Sequence, residues 1–210
     1  MLITGGNTGI GKETAVALAR GGAQVVFTTR DATKGETARA EIRDRSGSDA
    51  VDVMELDLAQ LASVREFANR WGAQHDHLDV LVNNAGVLIG SRRETIDGYE
   101  MTFQVNHLGP FLLTNLMRDQ LIAGDDARVV NVASAVHTSA RSGLDFDDLQ
   151  ATRRYRSFAV YSRSKLANIL FTRELARRWD DTGVTANSVH PGFVASRFGR
   201  DGDTDRKSVV

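Results

Sequence analysis

Tyr161 and Lys165 bound the segment YSRSK, four positions apart. On an α-helix that spacing stacks two side chains on one face. A phenol with its ordinary pKa of ~10 is a poor base near neutrality, where proton transfer works best with a matched pKa. An ammonium ~4 Å away is worth ~4 kcal/mol at an effective dielectric of ~20. That is enough to draw the phenol from ~10 toward ~7. A tyrosine so placed can take or give the proton of a substrate oxygen. The spacing alone also describes a solvated helix face. Three further features argue for a site. VVNVAS ends in Ser134, whose hydroxyl can donate to a substrate oxygen as an oxyanion donor does. Asn106 lies in VNHLG, inside a helical stretch that otherwise favours apolar residues. VHPGFV puts Pro191 and Gly192 just after another apolar run.

A second chemical signal opens the chain. A short apolar run enters Thr4, Gly5, Gly6, Asn7, Thr8, Gly9, Ile10 and Gly11, and a helical stretch follows. Glycines let the backbone turn tightly and approach a pyrophosphate seated on free N–H groups at a helix start. The spacing is GxxxGxG, not the commoner GxGxxG, and alone it fits a flexible helix start equally well. The second apolar run ends VVFTTRD. About 20 positions beyond the glycines, an acidic residue favours the ribose 2′-hydroxyl of NAD and an arginine the 2′-phosphate of NADP. Arg30 and Asp31 offer both, unless they only cap the strand in solvent.

Elements must bring these residues together. Apolar runs at Leu2 to Thr4, Ala23 to Thr28, Val51 to Leu56, Leu78 to Val82, Arg128 to Val132 and Val184 to Val189 predict strands. Helical stretches lie between them, at Gly11 to Arg20, Thr33 to Arg45, Leu61 to Trp71, Gly98 to Gln120 and Ser157 to Trp179. The alternation predicts a single α/β domain, a doubly wound Rossmann-type fold with a mostly parallel sheet and helices on both faces. Ligands in such folds bind at the C-terminal edge of the strands, where Ser134 and Pro191 fall. The one long irregular segment, Ala135 to Arg156, is of a length that is usually functional or mobile. The domain is expected over 1–198, with 199–210 a polar, poorly ordered tail.

Composition excludes several classes. The 210 residues are 41% hydrophobic with a net charge of −1, which points to neither nucleic acid nor a charged membrane surface. With no cysteine, disulfides, thiolate metal sites and a cysteine nucleophile are ruled out. The five histidines are scattered and no metal motif is present, so no metal site is expected. His137 and His190 flank the site without an assigned role. No apolar run reaches the ~18 residues of a membrane span, no secretory signal is visible, and a cytoplasmic setting is the default.

TGGNTGIG resembles the TGxxxGxG motif of short-chain dehydrogenases/reductases. NTGIGKETA, VNHLGPFLLT and SKLANILFTRELARR resemble the retinol-dehydrogenase-like branch, and the likeness runs from Leu2 to about Phe198. It implies a hydride exchanged between a nicotinamide and a carbonyl or alcohol substrate. Tyr161 would be the general acid/base. Lys165 would lower its pKa and hold the nicotinamide ribose. Ser134 would donate to the substrate oxygen, and Asn106 would maintain a water linking Lys165 to solvent. Ala133 stands where many members have a first serine, but Ser134 matches the catalytic one. The resemblance makes Asp57 and Leu58, in ELDL, adenine contacts; from residue type alone Asp57 is a helix N-cap. It sets Asn83, Asn84, Ala85 and Gly86 as the NNAG segment beside the adenosine, otherwise simply a turn. Val194 would clasp the carboxamide and Ser196 a phosphate. The NAD-selecting aspartate of the family falls at Thr29 and the NADP-preferring arginine at Arg30, so NADP is favoured, with NAD possible. A homodimer or homotetramer is implied, with Ile169 and Leu170 near its contact. Only Met1, Leu2 and Ile3 precede Thr4, and no counterpart of the last strand follows Val210, so the fold is expected shortened at both ends. A cofactor-binding regulator without turnover and a C=C reductase are the rival readings.

Overall fold

The computed structural model describes residues 1–192. Val194, Ser196 and the polar tail therefore lie outside the described residues. Strands β1 (Leu2–Ile3), β2 (Val25–Thr29), β3 (Val51–Glu55), β4 (Val80–Asn83), β5 (Arg128–Val132) and β6 (Thr185–Val189) form one sheet in the order β3-β2-β1-β4-β5-β6. Every pairing is parallel. The order reverses at β1 and β4, the switch point where doubly wound folds bind ligands. The predicted fold class is met.

Successive side chains of a strand point to opposite faces, and the two cores follow that rule. Leu2, Val26, Leu81 and Val129 pack with α3 (Leu61–Gln74) and with helices from later in the chain. Ile3, Val25, Phe27 and Val82 face α1 (Gly9–Arg20) and α2 (Ala32–Ser46). Phe27, Leu81 and Phe67 are fully buried, each worth about 1.5–3 kcal/mol. Although β1 has only two residues, it is hydrogen-bonded on both sides. Its register pairs Leu2 with Val26 and Leu81, and Thr4 N–H continues the ladder to the Val82 carbonyl at 2.9 Å.

One predicted element is corrected. The stretch Gly98 to Gln120 is not a continuous helix. Gly98 has φ +79° and closes a tight turn onto the Thr95 carbonyl, so the helix cannot start there. It starts at α4 (Met101–Phe103), where the buried Glu100 carboxylate accepts from Thr102 and Phe103 N–H. A π-turn follows at Gln104–Leu108, with Gly109 N–H reaching back five residues to the Gln104 carbonyl. Then come α5 (Gly109–Leu116) and, after a break at Met117, α6 (Arg118–Ile122). The long α7 (Ser157–Arg178) carries Tyr161 and Lys165. The segment before it opens with a 3₁₀ turn at Ala135–Ser139 and is otherwise irregular, but it is tied down. Tyr155 hydroxyl donates to the Ile89 carbonyl at 2.7 Å, and Gln150 Oε1 accepts from Glu100 N–H at 2.7 Å.

Candidate active site

The C-terminal ends of β1, β4 and β5 bring the glycine turn, NNAG and Ser134 to one edge of the sheet. Gly5 and Gly9 hold φ of +65° and +54°, the left-handed region that favours glycine. Gly11 is demanded by packing: a Cβ there would lie 2.5 Å from both Asn84 Nδ2 and the Gly5 carbonyl. Helix α1 begins at Gly9, two residues before the expected start. Its N-cap Thr8 makes no side-chain cap, so the first N–H groups of the helix, at Gly9, Ile10 and Gly11, carry no side-chain acceptor. Asn7 is half-buried and Thr8 exposed at this edge.

NNAG is more than a turn. Asn84 Nδ2 donates to the Thr4 and Gly5 carbonyls at 2.8 and 3.2 Å, and Asn84 and Ala85 N–H both donate to Thr4 Oγ1 at 3.0 Å. Thr4, which residue type did not mark, is thus the brace between the glycine turn and β4. Asp57 is not a helix cap; Gln60 occupies that position for α3. Its carboxylate folds onto its own turn, accepting from Ala59 N–H at 2.9 Å and Gln60 Nε2 at 3.2 Å. Leu58 is buried, its side chain lying where a Cβ on Gly109 would have to go. At the end of β2, Thr29 is buried and Arg30 exposed, with no hydrogen-bond or ionic partner among the described residues. Asp31 caps α2 by accepting from Lys34 N–H at 3.0 Å.

The four proposed catalytic residues do converge. Ser134 lies two residues past β5 in extended backbone, and its hydroxyl is close enough to the Tyr161 phenol to favour the phenolate. Lys165 is buried; its ammonium donates to the Val132 carbonyl at 2.8 Å and lies 5.6 Å from the Tyr161 ring centre. Asn106 is buried in the π-turn and clamps Val87, accepting from its N–H at 2.7 Å and donating to its carbonyl at 3.0 Å. Gly86 faces both Asn106 and Lys165: a Cβ there would lie 3.2 Å from Asn106 Oδ1 and 3.5 Å from Lys165 Nζ. Pro191 and Gly192 are exposed just past β6, at the same edge.

The electrostatics differ from the expectation that Lys165 sets the phenol low. Burial pushes Tyr161 up to about 12, opposed by the nearby Ser134 hydroxyl, and burial pulls Lys165 down to about 8. Desolvation disfavours whichever form is charged, and neither group's shift carries a contribution from the other. The site therefore holds a protonated phenol at neutrality. Sequence reasoning also missed Ser164 and Asn168, which hold Asn106 from α7. Their only signal was position, one residue before and three after Lys165.

The residues fit a dinucleotide. The first N–H groups of α1 carry no side-chain acceptor, Arg30 has no hydrogen-bond or ionic partner among the described residues, and a side chain at Gly86 would crowd Asn106 and Lys165. Among the described residues no group of three or more His, Asp or Glu could hold a metal ion, and no helix is long and apolar enough to cross a membrane.

The short chain dehydrogenase family model matches residues 1–145 and 148–207. Retinol dehydrogenase 12 of Mus musculus is 50% identical over 200 residues, covering 95% of this chain and 63% of the relative. The chain thus spans about three fifths of the length of the curated relatives it matches. An uncharacterised Mycobacterium paratuberculosis protein of known structure is 41% identical, with a TM-score of 0.79 over 96% of this chain and 71% of that one. The Pseudomonas aeruginosa RhlG/NADP active-site complex is 27% identical, with a TM-score of 0.77 over 95% of this chain and 74% of that one. The expected likeness to the retinol-dehydrogenase-like branch is met.

Proposed function

The chain belongs to the short-chain dehydrogenase family, and from that premise we propose that it exchanges a hydride between a nicotinamide cofactor and a carbonyl or alcohol substrate. The observation that carries this reading is the convergence of Ser134, Tyr161 and buried Lys165 at the edge that also holds the glycine turn. When bound, the cofactor supplies or accepts the hydride. Tyr161 gives a proton to the substrate oxygen in reduction and takes it in oxidation. Ser134 donates to that oxygen, Lys165 holds the ribose, and Asn106 fixes the wall at Val87. Gly5, Asn7, Thr8, Gly9, Ile10 and Gly11 would take the pyrophosphate, with Asp57, Leu58, Asn84, Ala85 and Gly86 on the adenosine side. A scan of alcohols and carbonyls, following cofactor absorbance with both cofactors, tests the reading. Turnover only on a C=C bond, or none on any substrate, would overturn it.

NADP is the cofactor proposed. Among the described residues Arg30 has no competing partner, Thr29 is uncharged and Asp31 serves as a helix cap. The NADP complex of the Pseudomonas neighbour points the same way. A charge-assisted contact contributes ~1.5–3 kcal/mol. Arg30→Ala should therefore weaken NADPH roughly tenfold or more, leaving NADH little changed. Titrating both cofactors against parent and variant checks this, and an unchanged preference would sink it.

We also propose a homo-oligomer, a dimer or tetramer. Phe111 on α5 and Leu170 on α7 are 46% and 42% exposed, and the Phe111 and Phe171 rings stand 5.1 Å apart, giving an apolar surface shared by the two helices. Ile169 is half-buried beside it. Leu170→Glu should shift the sedimentation of a micromolar sample from oligomer to monomer. A parent that is already monomeric would refute the assembly.

A further inference from the structure

The π-turn raises an accounting question about one carbonyl. Pro110 has no N–H, so the Asn106 carbonyl lacks the donor four residues ahead that an α-helix supplies. A different element satisfies it: Asn168 Nδ2, from α7, donates to that oxygen at 3.0 Å. This fixes the orientation of the Asn168 carboxamide, whose Oδ1 then faces His107 Nδ1 at 3.1 Å. The His107 ring must donate there, and burial pulls its pKa down, which keeps it neutral. The ring is held among Phe103, Phe111 and Phe171. Asn168 itself is 6% exposed.

The grip is completed on the other side of Lys165. Asn106 Nδ2 donates to Ser164 Oγ at 3.0 Å, and Ser164 Oγ donates to the Tyr161 carbonyl at 2.7 Å. Helix α7 therefore holds Asn106 by its side chain through Ser164 and by its backbone through Asn168. Asn106 in turn holds Val87 by both backbone groups. The room at this point is small, because a Cβ on Gly86 would already touch Asn106 and Lys165. A shift of the π-turn would move the wall next to Lys165.

We propose that Asn168 is a positioning residue, which holds the π-turn so that the Asn106 carboxamide keeps the Gly86–Val87 segment in register with Lys165 and Tyr161. Its consequence for turnover rests on the oxidoreductase reading; its structural content does not. The test uses the full chain with Asn168→Ala and, as a milder change, His107→Phe. The phenylalanine keeps the ring among its aromatic neighbours and removes the donor to Asn168. Hydrogen exchange at the Val87 amide should quicken roughly tenfold in Asn168→Ala, about the loss of one net hydrogen bond, and less in His107→Phe. Exchange at Val129, in the middle of the sheet, should stay as in the parent. Unchanged Val87 exchange, or equal acceleration at Val87 and Val129, overturns the proposal. If Asn168→Ala does not fold, His107→Phe decides on the same criterion. Turnover adds a second arm. Asn168→Ala should lower kcat roughly tenfold in the parent and hardly at all in an Asn106→Ala background, because the two act as one unit. Equal losses in both backgrounds overturn it. A parent with no turnover refutes the oxidoreductase reading instead, and the amide measurement still decides on Asn168.

Discussion

Exchanging Tyr161 for phenylalanine is expected to lower turnover by roughly 10²–10⁴-fold, the usual worth of a positioned acid or base, while cofactor dissociation constants stay near the parent's. The ring and its contact with the Lys165 ammonium remain. What goes is the hydroxyl near Ser134, the group assigned to the proton. The pH dependence follows from burial. A phenol pushed up to about 12 keeps its proton at neutrality, so it is a ready donor for reduction. Oxidation needs the phenolate, whose fraction grows as pH rises toward that value. Oxidation by the parent should therefore speed up with rising pH across the range where the protein is stable, whereas reduction should not. Dissociation constants must be measured apart from steady-state rates, because KM mixes binding with chemistry. Parental turnover in Tyr161→Phe, on a substrate that must exchange a proton, would remove Tyr161 from the mechanism.

Much of this site was readable in the chain because its geometry is local. Tyr161 and Lys165 share a face because helices repeat every 3.6 residues, and Gly5 and Gly9 mark positive φ because other residues resist it. Alternating strands and helices gave the parallel, doubly wound class with helices on both faces; the strand order came only with the structure. The rest is tertiary. The π-turn depends on a carbonyl freed by Pro110 and met by Asn168, 62 residues from Asn106. Asp57 looks like a cap by residue type, but the cap position of α3 falls at Gln60 and leaves Asp57 to its own turn. Residue types also suggested that the ammonium would rule the phenol. How far each group is buried decides that, and burial comes from elements distant in sequence.

Lys165 is the place where the proposed chemistry opposes stability, and Lys165→Met should expose the conflict. Burial pulls the ammonium from its ordinary 10.5 down to about 8. The unfolded chain therefore binds the proton more tightly than the folded one. A folded pKa lowered in this way costs stability in full below about 8, and the cost fades as pH rises toward 10.5. At ~1.4 kcal/mol per pH unit the gap corresponds to ~3 kcal/mol. Methionine fills similar space without charge, but it leaves the Val132 carbonyl without its donor, a loss of ~1 kcal/mol. At pH 7 the variant should thus be more stable than the parent by roughly 2 kcal/mol, a rise of several degrees in Tm for a domain of this size, while turnover and cofactor affinity both fall. Above about 10.5 the neutral amine still donates to Val132 at no electrostatic cost, so the order should reverse and the parent become the more stable. Other groups that titrate in this window are common to both proteins and cancel in the difference. Denaturant unfolding of the cofactor-free parent and variant, from pH 7 to above 10, measures that difference directly. A variant less stable than the parent at pH 7, or a difference that does not change with pH, would mean that Lys165 is not held as a desolvated cation.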